Sequence, residues 1–216
     1  MKKFILKNFE WFILFICIIG FIIFMKNVFY KDIIAIDEVG YNFLLENLIS
    51  DKITPVVLFI TSLGGAICLI TLSFLLLIVI KDKRIGISIM LNLLLVYGLN
   101  VLFKNILQRP RPIDINLIIE KGYSFPSGHS MVCLAFYGLL IYYVYKNVKN
   151  NYLKYSLMSF FCILIILIGI SRIYLGAHYT SDVIAGFLIS LSYLIIYIKF
   201  IEKFLLEKGR RDESRS

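Results

Sequence analysis

The only two histidines in this 216-residue sequence, His129 and His178, lie in segments crowded with cations, hydroxyls and prolines. Lys104 to Pro112 reads KNILQRPRP, residues 122–130 read GYSFPSGHS and residues 171–182 read SRIYLGAHYTSD. His178 and Asp182 are four residues apart. On a local helix the carboxylate accepts the proton of one imidazole nitrogen and leaves the other unprotonated and nucleophilic. Lys104, Arg111 and Arg172 supply the positive charge that the equatorial oxygens of a phosphoryl group require. Pro110 and Pro112 hold the chain extended and force a helix exit, so the Arg111 guanidinium is fixed, and its planar fork suits phosphate. Ser127 is a candidate helix N-cap. With Gly128 permitting close approach, the Ser127 hydroxyl and the Gly128 amide can bind phosphate oxygens.

Together these are the parts of a phosphoryl-transfer site. His178 attacks phosphorus to form a phosphohistidine, Asp182 stabilises the imidazolium, and His129 protonates the leaving oxygen, an effect of roughly 10²–10⁴-fold. Water then hydrolyses the intermediate with His129 as base. Two histidines and an aspartate are also common metal ligands, but the surrounding Lys and Arg would repel a divalent ion and no acidic pair balances them. No metal and no cofactor are expected. Two other readings use some of the same residues: an intramembrane serine protease with Ser127 as nucleophile, and a non-enzymatic lipid-phosphate transporter. The first gives the cations no work and lacks a Gly-x-Ser context; the second does not need His178 paired with Asp182.

The elements that must position these residues are membrane helices. The chain is 60% hydrophobic and 17% charged, with a mean hydropathy of +0.86, which excludes a soluble domain. Charge-free stretches cover residues 11–25, 56–80, 85–103, 130–145, 155–170 and 183–198, which predicts an all-α protein of six transmembrane helices. A span needs roughly 20 residues, so the four shorter stretches must borrow from their flanks. Trp11, Tyr30, Tyr142, Tyr143, Tyr145, Tyr155 and Tyr197 lie toward stretch ends as an aromatic belt would, and Lys26, Lys146 and Lys199 can snorkel. The first stretch reads as an uncleaved helix, because no small-x-small cleavage site follows it. Cys17, Cys68, Cys133 and Cys162 have no paired spacing and read as core-filling thiols. Residues 1–216 are expected to form one integral-membrane domain, with a frayed cytoplasmic tail from about 202 to 216.

Charge supplies the orientation. Of the basic residues behind the net charge of +9, fifteen fall at the termini and in the second and fourth loops and eight on the opposite side. The positive-inside rule then places both termini in the cytoplasm and all three polar segments outside. Scattered basic residues with no stripe and no aromatic platform exclude a nucleic-acid partner. A site at the outer membrane–water interface favours a lipid phosphate entering sideways from the bilayer, with no obligatory protein partner. Loop 26–55, carrying Asp32, Asp37, Glu38, Glu46 and Asp51, is expected to lie at the surface and shape the entrance.

At these residues the sequence resembles the type-2 phosphatidic acid phosphatase superfamily, integral-membrane lipid phosphatases that share a helical core with vanadium haloperoxidases. The family's three-part signature is matched by Lys104 with Arg111-Pro112, by Pro126 to His129, and by Ser171-Arg172 with His178 and Asp182. The context looks most like the bacterial phosphatidylglycerophosphatase B branch. The resemblance implies His178 as nucleophile, Asp182 as its partner, His129 as acid, and Lys104, Arg111, Ser127, Gly128 and Arg172 as the phosphate clamp. It also implies a metal-independent phosphatase of the bacterial cell membrane acting on phosphatidylglycerol phosphate, undecaprenyl pyrophosphate or phosphatidic acid. Arg109 lies outside the signature, with an auxiliary place near the phosphate.

Overall fold

In the computed structural model, residues 2–30, 35–47, 49–112, 117–201 and 204 are described; the expectation of a frayed tail lies outside them. The helices are α1 (Lys2–Phe29), α2 (Ala35–Asn47), α3 (Thr54–Ser62), α4 (Ala66–Val79), α5 (Lys83–Leu107), α6 (Gly128–Asn147), α7 (Asn151–Tyr174) and α8 (Thr180–Ile201), with no strand among the described residues. Five helices are long and apolar enough to cross a bilayer singly, and α3 with α4 forms a sixth crossing, bent by 44°. The chain is an integral membrane protein. The short apolar stretches borrow flanks as expected: α6, α7 and α8 run 20, 24 and 22 residues.

Polar residues set the helix ends. Asp82 accepts from the Arg84 amide at the start of α5, and Asn150 from the Leu153 amide at the start of α7, satisfying amides that lack helical partners. Lys83 Nζ closes α4 by donating to the carbonyls of Leu77 and Ile78 at 2.9 and 2.8 Å. The broken crossing has a local cause. Gly64 and Gly65 interrupt the apolar run, the amides of Leu63 to Gly65 turn back on Ile60 to Ser62, and the Leu63 carbonyl accepts from Tyr137 of α6 at 2.8 Å. A carbonyl freed inside a membrane protein is thus re-satisfied by a neighbouring helix.

The core centres on α6, whose Met131, Cys133, Ala135, Phe136 and Leu139 are fully buried against α5, α7 and α8. The bundle's outside is apolar, with Ile67, Ile78, Val79 and Leu94 exposed, as lipid-facing positions are. Two tyrosines expected in the aromatic belt are elsewhere. Tyr143 and Tyr197 are buried and donate to Ser88, at Oγ and at its carbonyl, at 2.7 and 2.6 Å. A phenol this deep must find a partner inside the protein. The four cysteines are free; Cys17 and Cys133 fill the core, Cys68 is half-buried and Cys162 is exposed on the lipid-facing side.

One close approach decides where the site forms. A Cβ on Gly186 of α8 would sit 3.0 Å from the Ser127 carbonyl, so glycine lets α8 press its first turns against the start of α6. There the Ser127 amide donates to the Asp182 carbonyl at 3.0 Å.

Candidate active site

The three polar segments of the sequence meet at one end of the bundle, where α5 and α7 end and α6 and α8 begin. Helix α5 stops at Gln108, which takes a left-handed φ of 45° and closes on the Lys104 carbonyl; the following prolines keep the chain extended, as read from the sequence. Arg111 is held in this segment by the chain around it. Its Nε donates to the Gly122 carbonyl at 3.0 Å, one terminal nitrogen to the Ala177 carbonyl at 2.7 Å, and the other to the Lys121 carbonyl at 3.2 Å.

His178 sits in the short connection between α7 and α8, not in a helix with Asp182. The pair forms differently from the helical i, i+4 geometry expected: the first turn of α8 brings Asp182 back over the connection, where its Oδ2 accepts from the Tyr179 amide at 3.0 Å and lies 3.4 Å from His178 Nδ1. Arg111 stands 3.3 Å from His178 Nε2. A guanidinium keeps its protons and can only donate, so Nε2 carries the lone pair and Nδ1 carries the proton that faces Asp182. Burial, foremost, pushes the His178 imidazole down to about 4, with Arg111 and Arg172 adding to it against the Asp182 carboxylate. The ring is therefore neutral at physiological pH, with its free nitrogen on the cationic side of the site.

Arg172 is almost fully buried at the end of α7. It donates to Thr61 Oγ1 of α3 at 2.8 Å and to Glu120, while its Nε has no partner among the described residues. Glu120 also lies 3.8 Å from Arg111, which places one carboxylate between the two guanidiniums. Burial works to raise the Glu120 carboxyl, but Arg172 and Arg111 outweigh it and hold it below the usual range. Lys104 Nζ donates to the Tyr123 carbonyl at 2.8 Å. Lys104, Gly128 and His129 line one end of a cleft of about 480 Å³ whose other walls include Leu69, Ile70 and Leu93. Ile70 and Tyr97 on its rim are 48% and 59% exposed, so the cleft opens sideways between α4 and α5 toward the lipid.

Ser127 takes the helix-cap position read from the sequence, whereas Arg109 is used otherwise than expected. Ser127 caps α6, its Oγ accepting from the Ser130 hydroxyl at 2.9 Å and from the Ser130 amide at 3.4 Å; the hydroxyl points into the fold. Arg109, given an auxiliary place at the phosphate, instead donates to Asp182 at 2.6 Å, to Ser181 Oγ at 2.7 Å and to Asp37 at 2.8 Å. Burial works against its charge, but Asp182 and Asp37 outweigh that and raise it above the usual arginine range. The sequence reading missed Asp37, Thr61, Glu120 and Ser124, whose hydroxyl bridges His178 and Asp182. The loop expected at the surface in fact carries α2, which brings Asp37 into this network. Among the described residues, no cluster of three or more His, Cys, Asp or Glu side chains is arranged to hold a metal ion.

Residues 85–205 match the PAP2 superfamily. Phosphatidylglycerophosphatase B of Bacillus subtilis is 36% identical over 121 residues, which is 52% of this chain and 58% of that protein; the match thus spans a little over half of that relative's length. An undecaprenyl-diphosphatase of Sulfolobus acidocaldarius is 24% identical over 80% of this chain and 85% of its own. Among solved structures, a transmembrane PAP2-type phosphatidylglycerolphosphate phosphatase from Bacillus subtilis superposes with a TM-score of 0.76 at 26% identity, covering 87% of this chain and 96% of that one.

Proposed function

This chain belongs to the PAP2 superfamily, and from that premise we propose that it is a metal-independent membrane lipid phosphatase working through a phosphohistidine on His178. The observation that carries the reading is the placement of His178, a buried imidazole with Nε2 3.3 Å from Arg111 and Nδ1 3.4 Å from Asp182, which favours a proton on Nδ1 and a free lone pair on Nε2. Nε2 attacks the phosphorus of the lipid headgroup and the phosphorus–oxygen bond to the leaving group breaks. The bound phosphate dianion favours the His129 imidazolium, which gives its proton to the leaving oxygen and is left as the neutral ring. The phosphorylated imidazole gains a positive charge, which Asp182 is placed to stabilise. Arg111, Arg172 and Lys104 neutralise the phosphoryl oxygens, and the unpartnered Arg172 Nε is a donor ready for one of them. His129 then takes a proton from water as it cleaves the intermediate. With its hydroxyl engaged in the helix cap, Ser127 contributes through the α6 amides that it positions.

A lipid substrate follows from the cleft. Its apolar walls open between α4 and α5, and its polar end holds Lys104 and His129, so acyl or prenyl chains stay in the bilayer while the phosphate reaches the cations. The relatives' names favour phosphatidylglycerol phosphate or undecaprenyl pyrophosphate, and the family resemblance adds phosphatidic acid as a third candidate. The basic residues concentrate at the end opposite the site, which supports a reading with both termini in the cytoplasm and the site on the outer face of a cell membrane.

The test is turnover of these three lipids by purified protein with EDTA present, followed by acid-labile labelling from a radioactive lipid phosphate. Wild type is expected to hydrolyse at least one lipid and take up label, and His178→Gln to do neither. Label persisting in His178→Gln would overturn the nucleophile.

A further inference from the structure

Helix α2 lies outside the segment that matches the family, yet it places a buried carboxylate against the catalytic pair. Asp37 Oδ2 accepts from Arg109 at 2.8 Å and from Ser181 Oγ at 3.0 Å, and Oδ1 accepts from the Ser181 amide at 2.8 Å. The other arm of Arg109 reaches Asp182 Oδ1 at 2.6 Å, and its guanidinium lies 4.0 Å from the centre of the Tyr179 ring. The seat is close-fitting: a Cβ on Gly40, one turn along α2 from Asp37, would collide with the Thr180 hydroxyl at the start of α8. Asp37, Arg109 and Asp182 are each less than a tenth exposed.

We propose that Asp37 is a positioning residue for the reaction, acting through Arg109 to keep Asp182 a net negative partner for His178. The charge count is the reason. Arg109 alone would form a neutral pair with Asp182, and a neutral pair does little to stabilise the imidazolium that forms when His178 is phosphorylated. With Asp37 on its second arm, the guanidinium is shared between two carboxylates and the buried triad keeps one negative charge. In a desolvated setting that charge acts on His178 with little screening. The two-armed geometry also fixes the Asp182 oxygens, leaving Oδ2 for His178, Ser124 and the Tyr179 amide.

The bland alternative is that Asp37 only pins α2 to α8 by accepting from the Ser181 amide. The two roles differ in pH dependence. His178 is faced by Asp182 of α8, by Arg111, and by Arg172 of α7, with His129 of α6, Lys104 of α5 and Glu120 around the same cleft. All of these remain in Asp37→Asn, so a difference from wild type isolates the Asp37 charge. Losing a negative charge makes the His178 cation less favourable, so the imidazole protonates at a lower pH.

The inference rests on the phosphatase reading above, and the experiment separates the two. Wild-type turnover and labelling test that reading; the ratio of Asp37→Asn to wild type tests this one. At neutral pH, Asp37→Asn is expected to lower kcat on the order of 10- to 100-fold with KM nearly unchanged. As pH falls from 7 to 4 the kcat/KM ratio of variant to wild type should rise, because the variant's acid limb moves down by about one pH unit. Glu38→Gln, an exposed neighbour on α2, should match wild type throughout. A ratio that stays flat with pH, or an unchanged kcat, would overturn the proposal. If Asp37→Asn does not fold, Asp37→Glu replaces it: the charge stays but moves, so kcat should fall with the acid limb in place, and a displaced limb would be the overturning result.

Discussion

Glu120 bonds to Arg172 and lies within 4 Å of Arg111, two of the cations proposed to hold the phosphate. A carboxylate is a flat, singly charged stand-in for that group, so the free protein keeps its cations paired until substrate arrives. Buried arginines left unpaired would be costly, and Glu120 offsets that cost at the expense of competing with the ligand. Because it is about one-third exposed, the competition is worth less than a buried charged hydrogen bond. Glu120→Gln is therefore expected to tighten inhibition by inorganic phosphate about three- to tenfold, read as the competitive inhibition constant against a lipid substrate. Weaker inhibition would mean that Glu120 orients Arg172 and does not compete with phosphate.

Among the elements, the broken crossing of α3 and α4 bears most directly on the site. The bend carries Thr61 to Arg172 and brings Gly64 against the start of α6, where a Cβ would lie 2.6 Å from Cys133 Sγ and 3.1 Å from His129 Cδ2. Gly64→Val must push α6 away at His129, the residue proposed to protonate the leaving group. It is expected to lower kcat/KM more than tenfold and to cost about 1–3 kcal/mol of stability, measured by turnover and by thermal unfolding in detergent. Gly98→Ala on α5, where a Cβ meets nothing within 4 Å, should leave activity unchanged. Hydropathy reveals the run from 56 to 80 as a crossing and cannot reveal its bend, although the Gly64-Gly65 pair within it was a visible breaker. The signature residues were legible for a related reason: their types and short spacings survive without knowledge of the fold. Asp37 and Glu120 were not, since their partners lie 72 and 52 residues away and an isolated acid in a connecting segment reads as solvated surface. Tyr143 and Tyr197 were misread because belt and core positions near a helix end share one composition.

Over the whole molecule, the net charge of +9 divides unevenly, since the side that carries the site holds eight basic and eight acidic residues. That balance is not a neutral surface. Arg109 is set against Asp37 and Asp182, and Arg172 against Glu120, so part of it consists of buried or half-buried pairs that build the site. The opposite side, with fifteen basic residues against six acidic ones, carries the whole surplus, and the positive-inside rule reads such a surplus as cytoplasmic. This predicts the labelling pattern of two single-cysteine additions. Lys52→Cys sits in the exposed turn before α3 and Lys149→Cys in the exposed turn between α6 and α7. In intact cells a membrane-impermeant maleimide should label Lys52→Cys, and it should label Lys149→Cys only after the membrane is opened. The wild-type chain is the control, because its four cysteines lie within the crossings, buried or facing lipid. The reverse pattern would put the site on the cytoplasmic face, and substrate would then have to be drawn from the inner leaflet, with the chemistry of His178 and Asp182 unaltered.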